Sequence, residues 1–268
     1  MATVTTNPHY NLQTNKNLTM IKAYIFDVDG TLADTERDGH RIAFNQAFEQ
    51  FGLDWHWDES TYGELLAVTG GKERIHYFVE THHKEEKNRD DLNELVAKLH
   101  AKKTDNYVAL LNNNAIPLRS GVKRILEEAR SAGIRLAIAT TTTPQNVTSL
   151  LENALGKQSL EWFEVIGAGD IVACKKPAPD IYDYVLKQMN LDASECIAFE
   201  DSRNGILSSS AAHLKTIITY NGYTEQDDFS GALMVLDRMG DAEKPSQVLQ
   251  NTQKQDYLTV EMIKQMMS

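Results

Sequence analysis

Two aspartates separated by one residue are the strongest chemical signal in the chain. The carboxylate of Asp27 is of a type that attacks phosphorus to give an aspartyl phosphate. Asp29 is close enough to protonate the leaving oxygen and then to deprotonate water. Gly30 permits the tight turn that brings both carboxylates to one point. The spacing therefore indicates a nucleophile, Asp27, paired with a general acid and base, Asp29.

Three further polar clusters lie later in the chain and complement this pair. They are Thr140 with Thr141, Lys176, and Glu200 with Asp201. Carboxylates that meet repel one another and need a cation, and an oxygen-only set that includes a main-chain carbonyl suits Mg²⁺. The metal and Lys176 would offset the charge of Asp27 and of a phosphate. Thr140 and the backbone N–H that follows it would donate hydrogen bonds to that phosphate, so the combination indicates phosphoryl transfer.

The elements that precede these clusters must bring them together. Apolar runs predict strands over 22–26, 134–139, 164–166, 196–199 and 216–219, with helices over 122–132, 147–155, 181–189 and 205–212. Strands that alternate with helices imply a parallel sheet with helices on both faces, which is an α/β fold. Ligands bind at the carboxyl ends of such strands, so we expect all four clusters at one edge.

The segment between the first strand and the rest of the sheet has a different pattern. From residue 34 to about residue 116 it is helical, with apolar residues at i, i+3, i+4 and i+7 from Leu92. We therefore predict a catalytic core formed by residues 20–35 and 117–268 and an all-helical cap domain formed by residues 36–116. Residues 1–19 are polar and are predicted to be a disordered extension.

The bulk properties exclude several classes of function. The chain has 268 residues and a formal net charge of -11, which argues against binding of nucleic acid or of an anionic membrane. There is no run of about 18 apolar residues that would predict a membrane span. Cys174 and Cys196 are expected to be reduced thiols in a cytoplasmic protein, which we expect to be a monomer. A plastid location stays open for a photosynthetic eukaryote, because residues 1–19 contain no acidic residue.

At its polar clusters the chain resembles the haloacid dehalogenase superfamily. Asp27-Val-Asp-Gly-Thr is similar to the first motif of the phosphatases of that family, and Thr140 is similar to the second. Lys176-Pro-Ala-Pro-Asp resembles the third motif and Glu200-Asp201-Ser202 the fourth. The resemblance implies a Rossmann-like core with an inserted cap and Mg²⁺ as the cofactor. It also implies metal ligation by Asp27, the backbone carbonyl of Asp29, Asp201 and, in support, Glu200.

Two further segments, 32–41 and 64–75, resemble the CbbY group of the same superfamily. The members of that group are xylulose-1,5-bisphosphate phosphatases, which remove an inhibitor of Rubisco and so serve the Calvin cycle. The resemblance implies a small phosphorylated sugar as the substrate, and xylulose 1,5-bisphosphate in particular.

A bisphosphate needs two cationic pockets, and the residues predict where the second would lie. Lys72 and Arg74 would supply its charge, and a helix that begins near Gly71 would offer free N–H groups to an anion. Glu36 would accept hydrogen bonds from sugar hydroxyls. His40 stands one position beyond the place where many relatives carry a histidine, so it is given no catalytic role.

Other functions remain open at this point. A phosphosugar mutase such as a β-phosphoglucomutase also passes through an aspartyl phosphate, so the motifs cannot separate it from a phosphatase. A non-catalytic regulatory or binding module predicts the loss of a catalytic residue, whereas all four motifs are filled here. A nicotinamide oxidoreductase is disfavoured because no Gly-x-Gly-x-x-Gly follows the first strand. Arg119 is equally compatible with a structural and a substrate-facing position.

Overall fold

The structure is a computed structural model that describes residues 20–113, 116–252 and 256–267, without the side chains of 250–252. The extension predicted over residues 1–19 lies outside this range. None of the helices in the described part of the chain is both long and apolar enough to cross a membrane.

Six parallel strands form one sheet in the order β3-β2-β1-β4-β5-β6. The strands are β1 (Ala23–Phe26), β2 (Arg135–Ala139), β3 (Phe163–Gly167), β4 (Cys196–Glu200), β5 (Lys215–Thr219) and β6 (Met234–Leu236). From β1 the chain adds β2 and β3 on one side, and it then returns to add β4, β5 and β6 on the other side. The switch point of the strand order therefore lies between β1 and β4. Crevices at such a switch point are where open α/β sheets bind ligands. The predicted parallel α/β fold is therefore confirmed.

Helices cover both faces of the sheet. The α-helices are α1 (Arg41–Gln50), α2 (Glu59–Leu65), α3 (Gly71–His82), α4 (Leu92–Asn112), α5 (Val122–Ser131), α6 (Pro144–Leu155), α7 (Asp180–Met189), α8 (Arg203–Ala211), α9 (Gln247–Thr252) and α10 (Val260–Met267). Along β1, Tyr24 and Phe26 enter the core under α5, α6 and α10, whereas Ala23 and Ile25 enter the core under α7. This alternation buries the central strand on both faces, which explains its continuous apolar sequence.

The helices α1 to α4 follow β1 and pack around an apolar cluster of their own. The largest buried side chains of this cluster are aromatic: Phe44, Phe48, Trp55, Trp57, Tyr62 and Phe78. The residues just before and just after this helical segment lie side by side, because Ala33 and Leu118 form an antiparallel bridge. We call residues 36–116 the helical insert. Its designation as a separate cap domain remains a prediction.

Two features near the C-terminus go beyond the predicted elements. The strand β6 has three residues, too few to give a periodic signal, and was not predicted. The mainly polar sequence of residues 245–268 predicts a tail with a short terminal helix. Instead, Leu249, Leu258 and Ile263 are buried in the core beneath α5, which ties this segment to the sheet.

Candidate active site

Lys176 joins the carboxyl ends of β1 and β4. Its Nζ donates to Asp27 Oδ1 and to Glu200 Oε1 at 2.6 Å each, and to the carbonyl of Ala139 at 2.9 Å. Although burial opposes its charge, the attraction of Asp27 and Glu200 raises the pKa of Lys176 above its ordinary value. The hydroxyl of Tyr182 donates to the same oxygen of Glu200. The lysine is thus held as a fixed ammonium beside the predicted nucleophile.

Asp201 completes a group of three carboxylates at the switch point of the sheet. One carboxylate oxygen from each of Asp27, Glu200 and Asp201 lies within 4.8 Å of the others. Asn221, which follows β5, donates its Nδ2 to Asp201 Oδ2 at 2.6 Å. At Gly30 the backbone has a φ of +87°, and a Cβ there would collide with that same Asp201 oxygen. Only glycine therefore allows the loop after β1 to approach Asp201.

The charges in this group fit a divalent cation. Burial, opposed by Lys176 but reinforced by Glu200, raises the pKa of Asp27 to about 8. Burial and the charge of Asp27 also raise the pKa of Asp201. Three buried carboxylates around one ammonium leave an excess of negative charge on an oxygen-only donor set, which suits Mg²⁺. The carboxylates of Asp27 and Asp201 could share such an ion, and their assignment as metal ligands, like that of the Asp29 carbonyl, stays a prediction. The Oε1 of Glu200 is already engaged with Lys176, and its assignment as a metal ligand remains a prediction.

His40 reaches the predicted acid and base, Asp29, through a π-helical turn over Glu36–His40. Its Nε2 lies 2.9 Å from Asp29 Oδ1, to which the Thr35 hydroxyl also donates at 2.6 Å. Burial opposes the ionisation of Asp29, yet the charge and hydrogen bond of His40 hold its pKa below its ordinary value. A π turn accommodates one more residue than an α turn, and here Arg41 N–H donates to Glu36 O. His40 therefore lies beside Asp29 despite its displacement by one position, and the expectation that it has no catalytic role stays a prediction.

Thr140 and Thr141 lie at the carboxyl end of β2. Thr140 is 1% exposed, and its hydroxyl accepts a hydrogen bond from the Thr142 N–H at 3.3 Å. Thr143 caps α6, which begins at Pro144. The cap sets the direction in which the chain leaves β2. Thr140 and Thr141 therefore face the same cavity as Asp27.

From the helical insert, Arg74 and Glu36 extend toward the carboxylates. Arg74 Nη1 donates to the Tyr62 hydroxyl at 2.7 Å and lies 3.5 Å from Glu36 Oε2, while that hydroxyl donates to the same Glu36 oxygen. Burial opposes the charge of Arg74, but Tyr62 and Glu36 raise its pKa. Arg74 is thus a buried cation whose charge is partly compensated.

Two adjoining cavities separate the insert from the sheet. The first, of about 430 Å³, is lined by most of the predicted site residues: Asp27, Asp29, Glu36, Arg74, Thr140, Thr141, Lys176, Glu200 and Asp201. The second, of about 270 Å³, shares Asp29, Glu36, Arg74 and Thr141 and adds Gly71, Lys72 and Lys103. The predicted site residues therefore lie around two adjoining cavities that share four lining residues, and these cavities are large enough for a small phosphorylated sugar.

Lys72 and Lys103 occupy this second cavity in different ways. Lys72 is partly exposed, and its Nζ lies 2.8 Å from Asp170 Oδ2. Lys103, on α4, is 4% exposed, and its Nζ lies over the rings of Phe44 and Tyr107 at 5.0 and 5.4 Å. Among the residues that the structure describes, Lys103 has neither a hydrogen bond nor an ion pair. Burial lowers its pKa to about 8. Lys103 is therefore the cation in this cavity whose charge is least compensated.

Three of these contributors were not found from the sequence. Asn221 follows the predicted strand 216–219, so the rule that identified the other clusters would have found it. No sequence pattern around Lys103 indicates a site residue, because the position of its side chain depends on how α4 packs against α1. His40 is displaced by one position from the histidine of many relatives, and its sequence position gives no sign that it lies beside Asp29.

The raised pKa of Asp27 gives a first testable prediction. A protonated Asp27 stabilises the metal-free fold at low pH, and this contribution is lost as the pH rises from about 4 through about 8. Mg²⁺ requires the ionised carboxylate, so metal binding competes with this proton. The increase in Tm on addition of Mg²⁺, measured by calorimetry, should be larger at about pH 9 than at about pH 6. The variant Asp27→Asn should lose part of this pH dependence, since Asp201 also has a raised pKa and continues to compete for protons. If the increase in Tm on addition of Mg²⁺ became smaller as the pH rises, this prediction would be contradicted.

Comparison with known proteins gives the site a family context. A model of the haloacid dehalogenase-like hydrolases matches residues 21–213. Protein CbbY from a plasmid of Cupriavidus necator is 45% identical over 225 residues, which cover 84% of this chain and 88% of that protein. Protein CbbY of Rhodobacter capsulatus is 46% identical over 212 residues, or 79% and 91% of the two chains.

Solved structures of related proteins are also similar to this chain. The crystal structure of CbbY from Rhodobacter sphaeroides in complex with phosphate has a TM-score of 0.75 at 43% identity, covering 82% of this chain and 95% of that one. A mutant of the same protein in complex with xylulose-(1,5)bisphosphate has a TM-score of 0.76 at 44% identity, with the same coverage. A β-phosphoglucomutase from Clostridium difficile has a TM-score of 0.71 at 21% identity, covering 92% and 97%, and shares the fold.

Proposed function

The chain belongs to the family of haloacid dehalogenase-like hydrolases, and from this we propose that it is a Mg²⁺-dependent phosphatase of a small sugar bisphosphate. The observation that carries the proposal is the convergence of Asp27, Lys176 and Asp201 at the switch point of the sheet. A carboxylate fixed beside an ammonium and a cation site is what attack on a phosphate ester requires. A binding module would not need a nucleophile in this position.

In the proposed reaction, Asp27 attacks phosphorus and the sugar oxygen leaves. Asp29, held by His40 and Thr35, is ionised in the free protein and takes up a proton when the anionic phosphate binds beside it. It gives this proton to the leaving oxygen and later takes one from the water that hydrolyses the aspartyl phosphate. Lys176 and the Thr140 hydroxyl bind the phosphoryl oxygens. Bound Mg²⁺, held by Asp27, the carbonyl of Asp29 and Asp201, would supply positive charge to the phosphoryl group.

The second cavity supports a substrate with two anionic ends. Lys103 faces this space as a poorly compensated ammonium, and α3 begins at its edge with Gly71. A second phosphate placed there would receive the charge of Lys103 and the free N–H groups of that helix start. Xylulose 1,5-bisphosphate is the candidate we favour, because it is the ligand named for the related CbbY mutant. Removal of this inhibitor of Rubisco would be the role in the Calvin cycle.

A second prediction concerns Lys103. Replacement by methionine should raise the KM for a sugar bisphosphate by about ten-fold, because one charge-assisted hydrogen bond to phosphate is lost. It should not lower thermal stability, because the buried ammonium lacks a hydrogen bond or ion pair within the described part of the chain. Steady-state kinetics on mono- and bisphosphates would check this. The KM for a monophosphate should stay nearly unchanged.

The matched control for Lys103 is Lys98→Met. Lys98 lies on the same helix but is exposed and paired with Glu94 at 2.6 Å. Its replacement should change neither KM. An equal rise in the KM for mono- and bisphosphates in Lys103→Met would contradict a pocket for a second phosphate.

The proposed function is tested by phosphate release from a panel of sugar mono- and bisphosphates, with and without Mg²⁺. We expect metal-dependent release, fastest with xylulose 1,5-bisphosphate. Equal rates on monophosphates would contradict the choice of substrate. Conversion of β-glucose 1-phosphate to glucose 6-phosphate without free phosphate would show a mutase, and absence of turnover on every substrate would favour a binding module.

A further inference from the structure

The guanidinium of Arg119 lies where three loops of the sheet meet. Its Nη atoms donate to four backbone carbonyls, those of Gly30, Thr219, Tyr220 and Asp237. The distances to the last three are 2.7, 2.6 and 2.9 Å. Its Nε lies 3.2 Å from Asp34 Oδ1. A single side chain therefore ties together the loops that follow β1, β5 and β6.

Two of these loops carry residues that belong to the predicted cation site or hold one of its side chains. Gly30 directly follows Asp29, whose backbone carbonyl is a predicted metal ligand. Tyr220 directly precedes Asn221, whose side chain holds Asp201. The two loops are also in close contact, because a Cβ on Gly30 would lie 2.7 Å from Asn221 Nδ2. A shift of either loop would change the distance between Asp29 and Asp201.

The position of Arg119 also connects these loops to the helical insert. Its backbone N–H donates to Leu32 O at 2.9 Å, next to the bridge between Ala33 and Leu118. A planar guanidinium can reach four carbonyls and a carboxylate at once, because it offers five donors in a fixed geometry. Lysine has the same charge but three donors on one nitrogen. An arginine at position 119 therefore has enough donors for the four carbonyls and the carboxylate, whereas a lysine would not.

We propose that Arg119 is a positioning residue for the divalent-cation site. It holds the loop of Asp29 and the loop of Asn221, and through Asn221 it keeps the side chain of Asp201 at the separation from Asp29 that the metal requires. The inference rests on the proposed metal-dependent function. Arg119 touches neither of these two side chains, and it acts through Gly30, Tyr220 and Asn221.

The direction of the change in metal affinity distinguishes a positioning role of Arg119 from an effect of its charge alone. A guanidinium near a cation site repels the cation, so its removal would by charge alone strengthen metal binding. Loss of positioning has the opposite effect, because the ligands then relax away from the geometry that Mg²⁺ demands. Replacement of a residue that orients metal ligands typically weakens metal binding by about 10- to 100-fold.

The experiment compares Arg119→Met with Arg119→Lys and with a matched control, Arg124→Met. Arg124 also donates to backbone carbonyls, those of Gly240 at 2.8 Å and Leu258 at 2.6 Å, but neither belongs to a loop of the site. Binding of Mn²⁺ alone, followed by electron paramagnetic resonance without substrate, is the readout. We expect the Kd to rise by about 10- to 100-fold in Arg119→Met and by less in Arg119→Lys, with little change in Arg124→Met.

The outcomes separate this inference from the proposed function. An unchanged or lower Kd in Arg119→Met, or an equal rise in Arg124→Met, would overturn the positioning role alone. Absence of Mn²⁺ binding by the unaltered chain would overturn the metal-dependent function, and the inference with it. If Arg119→Met does not fold, Arg119→Lys decides, because it keeps the charge and an unchanged Kd there would contradict positioning by the guanidinium.

Discussion

Replacement of Asp27 by asparagine is expected to reduce phosphate release by at least about 10³-fold while the protein stays folded. Asparagine has nearly the same shape and can still accept the hydrogen bond from Lys176, but its amide cannot form an acyl phosphate. The exchange also removes one of three crowded carboxylates, so the metal-free protein should not lose stability. Rates of phosphate release and thermal unfolding, measured on the same preparation, would check both parts.

The control for this exchange is Asp91→Asn. Asp91 is exposed at the start of α4, pairs with Arg89 at 2.6 Å and lines neither of the two cavities. The rate should stay the same in this variant. A folded Asp27→Asn protein that keeps more than about a tenth of the original rate would exclude Asp27 as the nucleophile.

The second large effect is expected for Lys176→Met. Loss of the ammonium leaves Asp27 and Glu200 buried without a compensating charge, which should lower the free energy of unfolding by about 3–5 kcal/mol. Activity should fall by at least about 10²-fold, because the phosphoryl oxygens lose a fixed cation. Mg²⁺ should restore part of the stability but little of the activity. Denaturant unfolding with and without Mg²⁺, together with rate measurements, would show this.

The neighbouring residue provides the control for Lys176. Lys175 pairs with Glu73 at 2.8 Å and with Asp170 at 3.0 Å, and both of these partners remain accessible to water. Its replacement by methionine should cost less than about 1 kcal/mol. A comparable loss of stability in the two variants would mean that the buried pairing of Lys176 is not what stabilises the end of the sheet.

The catalytic core of the site could be predicted because its residues follow strands. Asp27, Thr140 and Glu200 each come directly after an apolar run, and Asp201 follows Glu200. Parallel strands place such positions at one edge. The strand order was not needed for this argument, since every strand ends on the same side. The sequence therefore identified the residues without identifying which strands are neighbours.

What could not be predicted depends on the register of a helix or on the packing of one element against another. His40 faces Asp29 because a π turn adds a residue, and a period of 3.6 gives no sign of that addition. Lys103 faces the second cavity because of how α4 packs. The partners of Arg119 are almost all backbone carbonyls, which have no signature in the sequence. Sequence patterns thus reveal the groups that react better than those that position them.

The central claim is that a phosphoryl group is transferred to Asp27. Mass spectrometry of protein quenched with acid during turnover of a sugar bisphosphate tests it most directly. We expect a phosphoryl group on the peptide that contains Asp27, present with Mg²⁺ and absent from Asp27→Asn. Turnover without a phosphorylated peptide, or a phosphoryl group on another residue, would contradict it.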